Sequence, residues 1–77
     1  MNVRHIISDP KICHGKPCFK GTRILVSTIL DSLAAGDSIE TLAREYPPLK
    51  RTDILAAIEY ASTLTKGEEY YLKRKAM

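Results

Sequence analysis

Val26-Ser27-Thr28-Ile29-Leu30-Asp31-Ser32-Leu33-Ala34-Ala35-Gly36-Asp37-Ser38-Ile39-Glu40-Thr41-Leu42-Ala43-Arg44-Glu45-Tyr46-Pro47-Pro48 is the stretch that decides the fold. Val26, Ile29, Leu30 and Leu33 recur at i, i+3, i+4 and i+7, which is one face of a helix. Asp31 falls on the opposite face, where water solvates it. Gly36 stops this helix, because a glycine adopts the left-handed backbone that closes a helix end. Asp37-Ser38 then offers an N-cap. With Asp37 as the cap, Glu40 stands three residues on, as in a capping box. Ile39, Leu42, Ala43 and Tyr46 mark the buried side of a second, short helix, and Pro47-Pro48 ends it, since a residue before proline disfavours the α region.

Downstream, Leu49 to Arg51 form a turn, and Thr52 is read as the N-cap of a third helix with Asp53 beside the helix dipole. Its apolar stripe is Ile54, Leu55, Ile58, Ala61 and Leu64. Its outward positions are then Thr52, Asp53, Ala56, Glu59, Tyr60 and Thr63. Lys66-Gly67 interrupts the pattern, and Glu68 to Met77 is a further helical candidate carrying Tyr70, Tyr71 and Leu72. Upstream lies a short basic arm, Gly15-Lys16-Pro17-Cys18-Phe19-Lys20-Gly21-Thr22-Arg23-Ile24-Leu25, running straight into the first helix. Val3, Ile6 and Ile7 before Ser8-Asp9-Pro10 read as a β-like run closed by a turn, and Lys11 to Pro17 as a loop. Cys18-Phe19-Lys20 and Thr22-Arg23-Ile24 are two further extended pieces on either side of Gly21. Strands this short form no stable sheet alone, so they must pair with the helical body or a second copy. The chain is therefore one mainly α domain: a basic β arm over 1–25, a three-helix, helix-turn-helix core over 26–65, and a helical tail over 66–77.

The 77 residues suffice for one small core, and the 44% apolar share excludes disorder of the whole chain. A homodimer would supply burial that so short a chain lacks. The net charge of +3 is unevenly spread. Arg4, Lys11, Lys16, Lys20 and Arg23 against Asp9 give residues 1–23 a charge of +4, and residues 24–49 carry −3 and 50–77 carry +2. This dipolar pattern points to an anionic partner, nucleic acid being the commonest, with plain solubility as the alternative. No long apolar run opens the chain or spans a membrane, so a cytoplasmic location with free Cys13 and Cys18 thiols is expected.

Cys13, His14 and Cys18 raise two chemical readings. A zinc site needs four ligands, and the remaining histidine is His5, so no metal is expected. Thiol catalysis needs an oriented base and an oxyanion site, which sequence neighbours on a loop do not supply. No phosphate-binding glycine loop, hydrolase motif or paired carboxylates on one helix face stands elsewhere. The reading is a non-enzymatic protein without a cofactor. For DNA binding the candidates are Lys16, Lys20 and Arg23 on the arm, with Lys50, Arg51 and Thr52 at the start of the third helix. Beyond its first turn that helix offers acids where base-reading helices carry Arg, Lys, Asn or Gln. Pure packing is its alternative role, and for the arm the alternative is strand-mediated dimerisation. Tyr70, Tyr71 and Leu72 are the candidate partner-binding residues, with a frayed, solubilising tail as the alternative.

Ile7-Ser8-Asp9-Pro10, Gly15-Lys16-Pro17, Gly21-Thr22-Arg23-Ile24, Gly36-Asp37-Ser38-Ile39 and Tyr46-Pro47, continued by Ile54, Ala57 and Tyr60-Ala61, carry a resemblance. Over about residues 5 to 64 the chain resembles domain-of-unknown-function family 433. Leu25 stands where many relatives carry proline, which removes one marker of the first helix's start. The resemblance implies a homeodomain-like helix-turn-helix bundle with a short N-terminal β element, found in bacteria and archaea. It also implies likeness to VapB-type antitoxins: a dimer that masks a PIN-like ribonuclease toxin and binds operator DNA. It assigns no residue a role. An interaction adaptor whose bundle never meets DNA is the competing expectation.

Overall fold

The computed structural model describes residues 5–76, with side chains described for residues 5–66. Val3 and Arg4 lie outside the described residues. The chain is mainly helical. In order it forms β1 (Ile6–Ile7), a 3-10 turn (Cys13–Gly15), β2 (Cys18–Phe19), α1 (Val26–Ala34), α2 (Ile39–Glu45) and α3 (Arg51–Ala76).

The arm folds as a small antiparallel sheet, with Ile6 opposite Phe19 and Ile7 opposite Cys18. Beyond β2 the chain doubles back. Thr22 N–H donates to the Phe19 carbonyl at 3.0 Å and Phe19 N–H to the Ile24 carbonyl at 3.0 Å, and Cys18 pairs with Leu25. The Thr22 hydroxyl donates to the Phe19 carbonyl and accepts from Ile24 N–H, locking this turn from inside. Gly21 sits in it at φ +82°, a backbone angle that a side chain would strain. What stabilises these two-residue strands is the helical body: Ile6, Cys18 and Phe19 are all buried.

No side chain caps α1, but its first N–H, from Val26, donates to the Pro17 carbonyl at 3.0 Å. The arm thus satisfies an end that Leu25 leaves without a proline. At the other end Gly36 N–H donates to Leu33 and Asp37 N–H to Ser32, with Gly36 at φ +105°. These two bonds make a Schellman closure. Because Asp37 is spent in it, the cap of α2 passes to Ser38. Ser38 is extended, and its Oγ accepts from Thr41 N–H at 3.1 Å, so of the Asp37-Ser38 pair Ser38 is the cap, and the capping box drawn on Asp37 and Glu40 is corrected. The Thr52 cap is corrected likewise. Thr52 lies inside α3, and Lys50 flanks its start, with Lys50 N–H donating to Asp53 Oδ2 at 2.8 Å. That is the reach-back half of a capping box.

The three helices pack on one another around Val26, Ile29, Leu42, Leu49, Ile54 and Ala57, with Ile6 and Phe19 closing the core from the arm. The i, i+3, i+4 face read for α1 is the one that packs. On α3 the stripe is rotated from the expected one. Ala56 is only 6% exposed and Tyr60 packs against the core, whereas Leu55 and Ile58 are 42% and 40% exposed. Ile54 and Ala57 supply the buried face of α3, and Leu55 and Ile58 are left partly outside. Nor does Lys66-Gly67 break the helix: its backbone runs on to Ala76, so the expected separate tail helix is the end of α3.

Candidate functional site

His5 is the residue that joins the arm to α3. Its carbonyl accepts from Lys20 N–H at 2.8 Å, extending the pairing of the arm by one bond. Its Nδ1 lies 2.6 Å from Asp53 Oδ1, and an ionised carboxylate only accepts, so Nδ1 then carries the proton. Asp53 Oδ2 meanwhile holds Lys50 N–H. A continuous chain of contacts therefore runs from Lys20 through His5 and Asp53 to Lys50. It ties the backbone at Lys20 to the backbone at Lys50, with Arg51 next in the chain, and the side chains of these three expected DNA-binding residues are exposed. Asp53, expected among the outward positions of the helix, is instead the half-buried centre of this junction. Replacing Asp53 with Ala removes both contacts. We expect a loss of roughly 1 kcal/mol, read as a lower urea midpoint, and a Glu at 53 should restore less than Asp because its longer arm misplaces the carboxylate.

The remaining candidates do not all gather there. Arg51 is spent in part on Glu40, at 2.6 Å across two exposed side chains. Thr52 lines a shallow hollow with Leu55, Ala56 and Glu59 on the outer side of α3. Arg23 is exposed beside Ile12, Gly21 and Thr22 at the turn of the arm, and its carbonyl accepts from the Cys13 thiol at 3.3 Å. Lys16 lies elsewhere, on the rim of a groove. The side chains of Tyr70, Tyr71 and Leu72 lie outside those described.

That groove, of about 420 Å³, runs between the arm, α1 and α3, lined by Pro17, Val26, Leu30, Tyr60 and Leu64 with Lys16 and Ser27. Leu64 is 61% exposed: it continues the core-facing side of α3 past the point where the bundle ends. Sequence reasoning placed Leu64 in the core stripe and missed the groove. Pro17 and Lys16 had been read as arm alone, and nothing local in the sequence sets them against Tyr60.

Cys13 and Cys18 are free thiols, the first half-buried and the second fully buried. Burial foremost, and then the adjacent Cys13 thiol, push the Cys18 thiol above its usual range. Cys13 and His14 both adopt positive φ, +53° and +56°, which is unusual outside glycine. Among the described residues no three His, Cys, Asp or Glu side chains gather as a metal-binding group, and no helix is long and apolar enough to cross a membrane.

A three-helix body, a two-stranded arm clamped to it, exposed cations beside the junction of the two and an apolar groove together define a small helical module. The chain belongs to the DUF433 family of proteins of unknown function, whose model matches residues 6–61. It is similar in structure to a DUF433 member protein from Anabaena variabilis ATCC 29413, with a TM-score of 0.71 and 26% identity, over 94% of this chain and 67% of that one. It is also 38% identical over 56 residues to the uncharacterized protein y4eO of Sinorhizobium fredii. That match takes in 73% of this chain and 25% of the relative, so the chain spans about a quarter of that protein's length.

Proposed function

We propose that this chain is a non-enzymatic binding protein of the antitoxin type, with a homeodomain-like helix-turn-helix formed by α2 and α3. In this reading the dimeric protein meets operator DNA with the exposed cations beside the His5–Asp53 junction and masks a PIN-like ribonuclease through its apolar groove. The observation that carries it is the separation of two contact surfaces. Exposed Lys20, Lys50 and Arg51 flank the His5–Asp53 junction, while Leu64, Tyr60, Leu30 and Pro17 line an open apolar groove that includes none of the three. Phosphate contacts suit the first and a desolvated apolar anchor suits the second.

The test is co-expression with a PIN-like ribonuclease encoded in the same operon. The intact chain should relieve the toxicity and co-purify with the nuclease, whereas Leu64→Asp, which alters an exposed position, should fold normally and lose at least roughly tenfold in affinity. Toxicity that persists beside abundant folded partner would overturn the proposal. One observation favours a second reading, an adaptor that does not bind DNA: Arg51 already pairs with Glu40, and Glu59 is exposed on the same outward side of α3. In that case the groove variant fails as above, and removing the junction cations changes nothing.

A further inference from the structure

We propose that Cys13 and Cys18 are a redox pair that closes reversibly into an intrachain disulfide when the protein meets a peroxide. The inference stands apart from the antitoxin reading and rests on the arm alone.

Three observations lead to it. Both cysteines are held on the same doubled-back segment of the arm: Cys13 Sγ donates to the Arg23 carbonyl at 3.3 Å, two residues from the Leu25 that pairs with Cys18, and Cys13 is a side-chain neighbour that, after burial, pushes the Cys18 thiol up, although four residues separate them in sequence. Their exposures differ: Cys18 is sealed in the sheet between Ile7 and Leu25, while Cys13 is half-open at the surface of the loop. Finally, Cys13, His14 and Gly15 hold three successive positive φ angles, +53°, +56° and +81°. Two of the three are not glycine, so the turn that presents Cys13 is a strained one. Backbone bonds hold it in place: Ile12 and Gly15 N–H donate to the Asp9 carbonyl, and Lys16 N–H donates to the Cys13 carbonyl. A buried cysteine by itself would be a small apolar residue. A second, accessible thiol presented to it by a strained turn is what packing leaves unexplained.

The asymmetry assigns the order of events. The Cys13 sulfur, as thiolate, attacks one peroxide oxygen. The O–O bond breaks, the leaving hydroxide takes up a proton as water, and Cys13 becomes a sulfenic acid. Cys18 then gives up its proton and its sulfur attacks the Cys13 sulfur. The S–O bond breaks, and the departing hydroxide combines with the Cys18 proton as a second water. Two thiols are oxidised by two electrons, and one peroxide is reduced to two waters. A dithiol reductant reverses the change by exchange. Oxidation also removes the Cys13 S–H that donates to the Arg23 carbonyl at 3.3 Å, so it releases the backbone of an arm cation.

The test uses the full chain, folded by circular dichroism, exposed to a small excess of hydrogen peroxide. Remaining thiols are then capped with N-ethylmaleimide in denaturant, and the protein is digested with trypsin. Ile12 to Lys20 is one fragment with both cysteines, since Lys16 precedes Pro17 and is not cut. We expect that fragment uncapped and about 2 Da lighter than the dithiol, in monomeric protein, with dithiothreitol restoring the doubly capped form. In Cys13→Ser, Cys18 should react with peroxide at least roughly tenfold more slowly than Cys13 does in the intact chain. A fragment that stays doubly capped would overturn the proposal. So would Cys13 driven to sulfinic acid beside a capped Cys18, or a disulfide between two chains. Because the decisive reading is made on the unsubstituted chain, failure of a variant to fold leaves it standing.

Discussion

Phe19→Ala should unfold this protein, or bring it to the edge of unfolding, at room temperature. Phe19 is 1% exposed and stands in β2, yet its ring belongs to the core that the three helices make. Truncating a buried phenylalanine costs about 3–5 kcal/mol, from lost transfer energy and the cavity left behind. A domain of this length holds only about 4–11 kcal/mol in total. Few neighbours are free to fill the space, because Ile6 opposite it on β1 and Ile24 on the segment that doubles back are both fixed by backbone pairing and packed on the same core. Loss of the ring therefore also loosens the arm, and with it the Pro17 carbonyl that caps α1. Urea denaturation followed by helix signal should show a midpoint lowered by more than half. A fall within the range of ordinary surface substitutions would mean that the arm is an appendage.

Replacing Lys20, Lys50 and Arg51 together with Ala should lower affinity for duplex DNA on the order of a hundredfold at low salt, with little change in stability. The three side chains are exposed, and the one ion pair they make among the described residues, Arg51 with Glu40, is of the surface kind that contributes about 0–1 kcal/mol. Their effect is expected through phosphate. The same substitution at Lys16, which lines the apolar groove rather than flanking the His5–Asp53 junction, should cost far less. A loss equal for all four would mean diffuse attraction by net charge, not a gathered site.

Much of the helical body was legible from local spacing. The face of α1, its glycine stop and the buried side of α2 follow from residues within one or two turns of each other. The face of α3 was less legible because aliphatic and alanine residues surround it on several sides. Periodicity favoured Leu55 and Ile58 beside Ile54, whereas the core takes Ile54, Ala57 and part of Tyr60. Leu49, read as part of a turn, is buried because the short loop after Pro48 folds inward: its N–H donates to the Tyr46 carbonyl at 2.8 Å. Of the Asp37-Ser38 pair the cap falls to Ser38 because a Schellman turn takes up Asp37, and at α3 a reach-back carboxylate moves the start ahead of the expected Thr52. The junction between His5 and Asp53 spans 48 positions, and no local signal marks a contact of that separation.

The measurement that bears most directly on the proposed role is the salt dependence of binding between the intact chain and a duplex from immediately upstream of its own coding sequence. The affinity should fall linearly on logarithmic axes as salt rises, and the slope should shrink by about 2.7 when Lys20, Lys50 and Arg51 are replaced, about 0.9 for each cation removed. No association even at low salt, or a slope that the three replacements leave unchanged, would contradict the account.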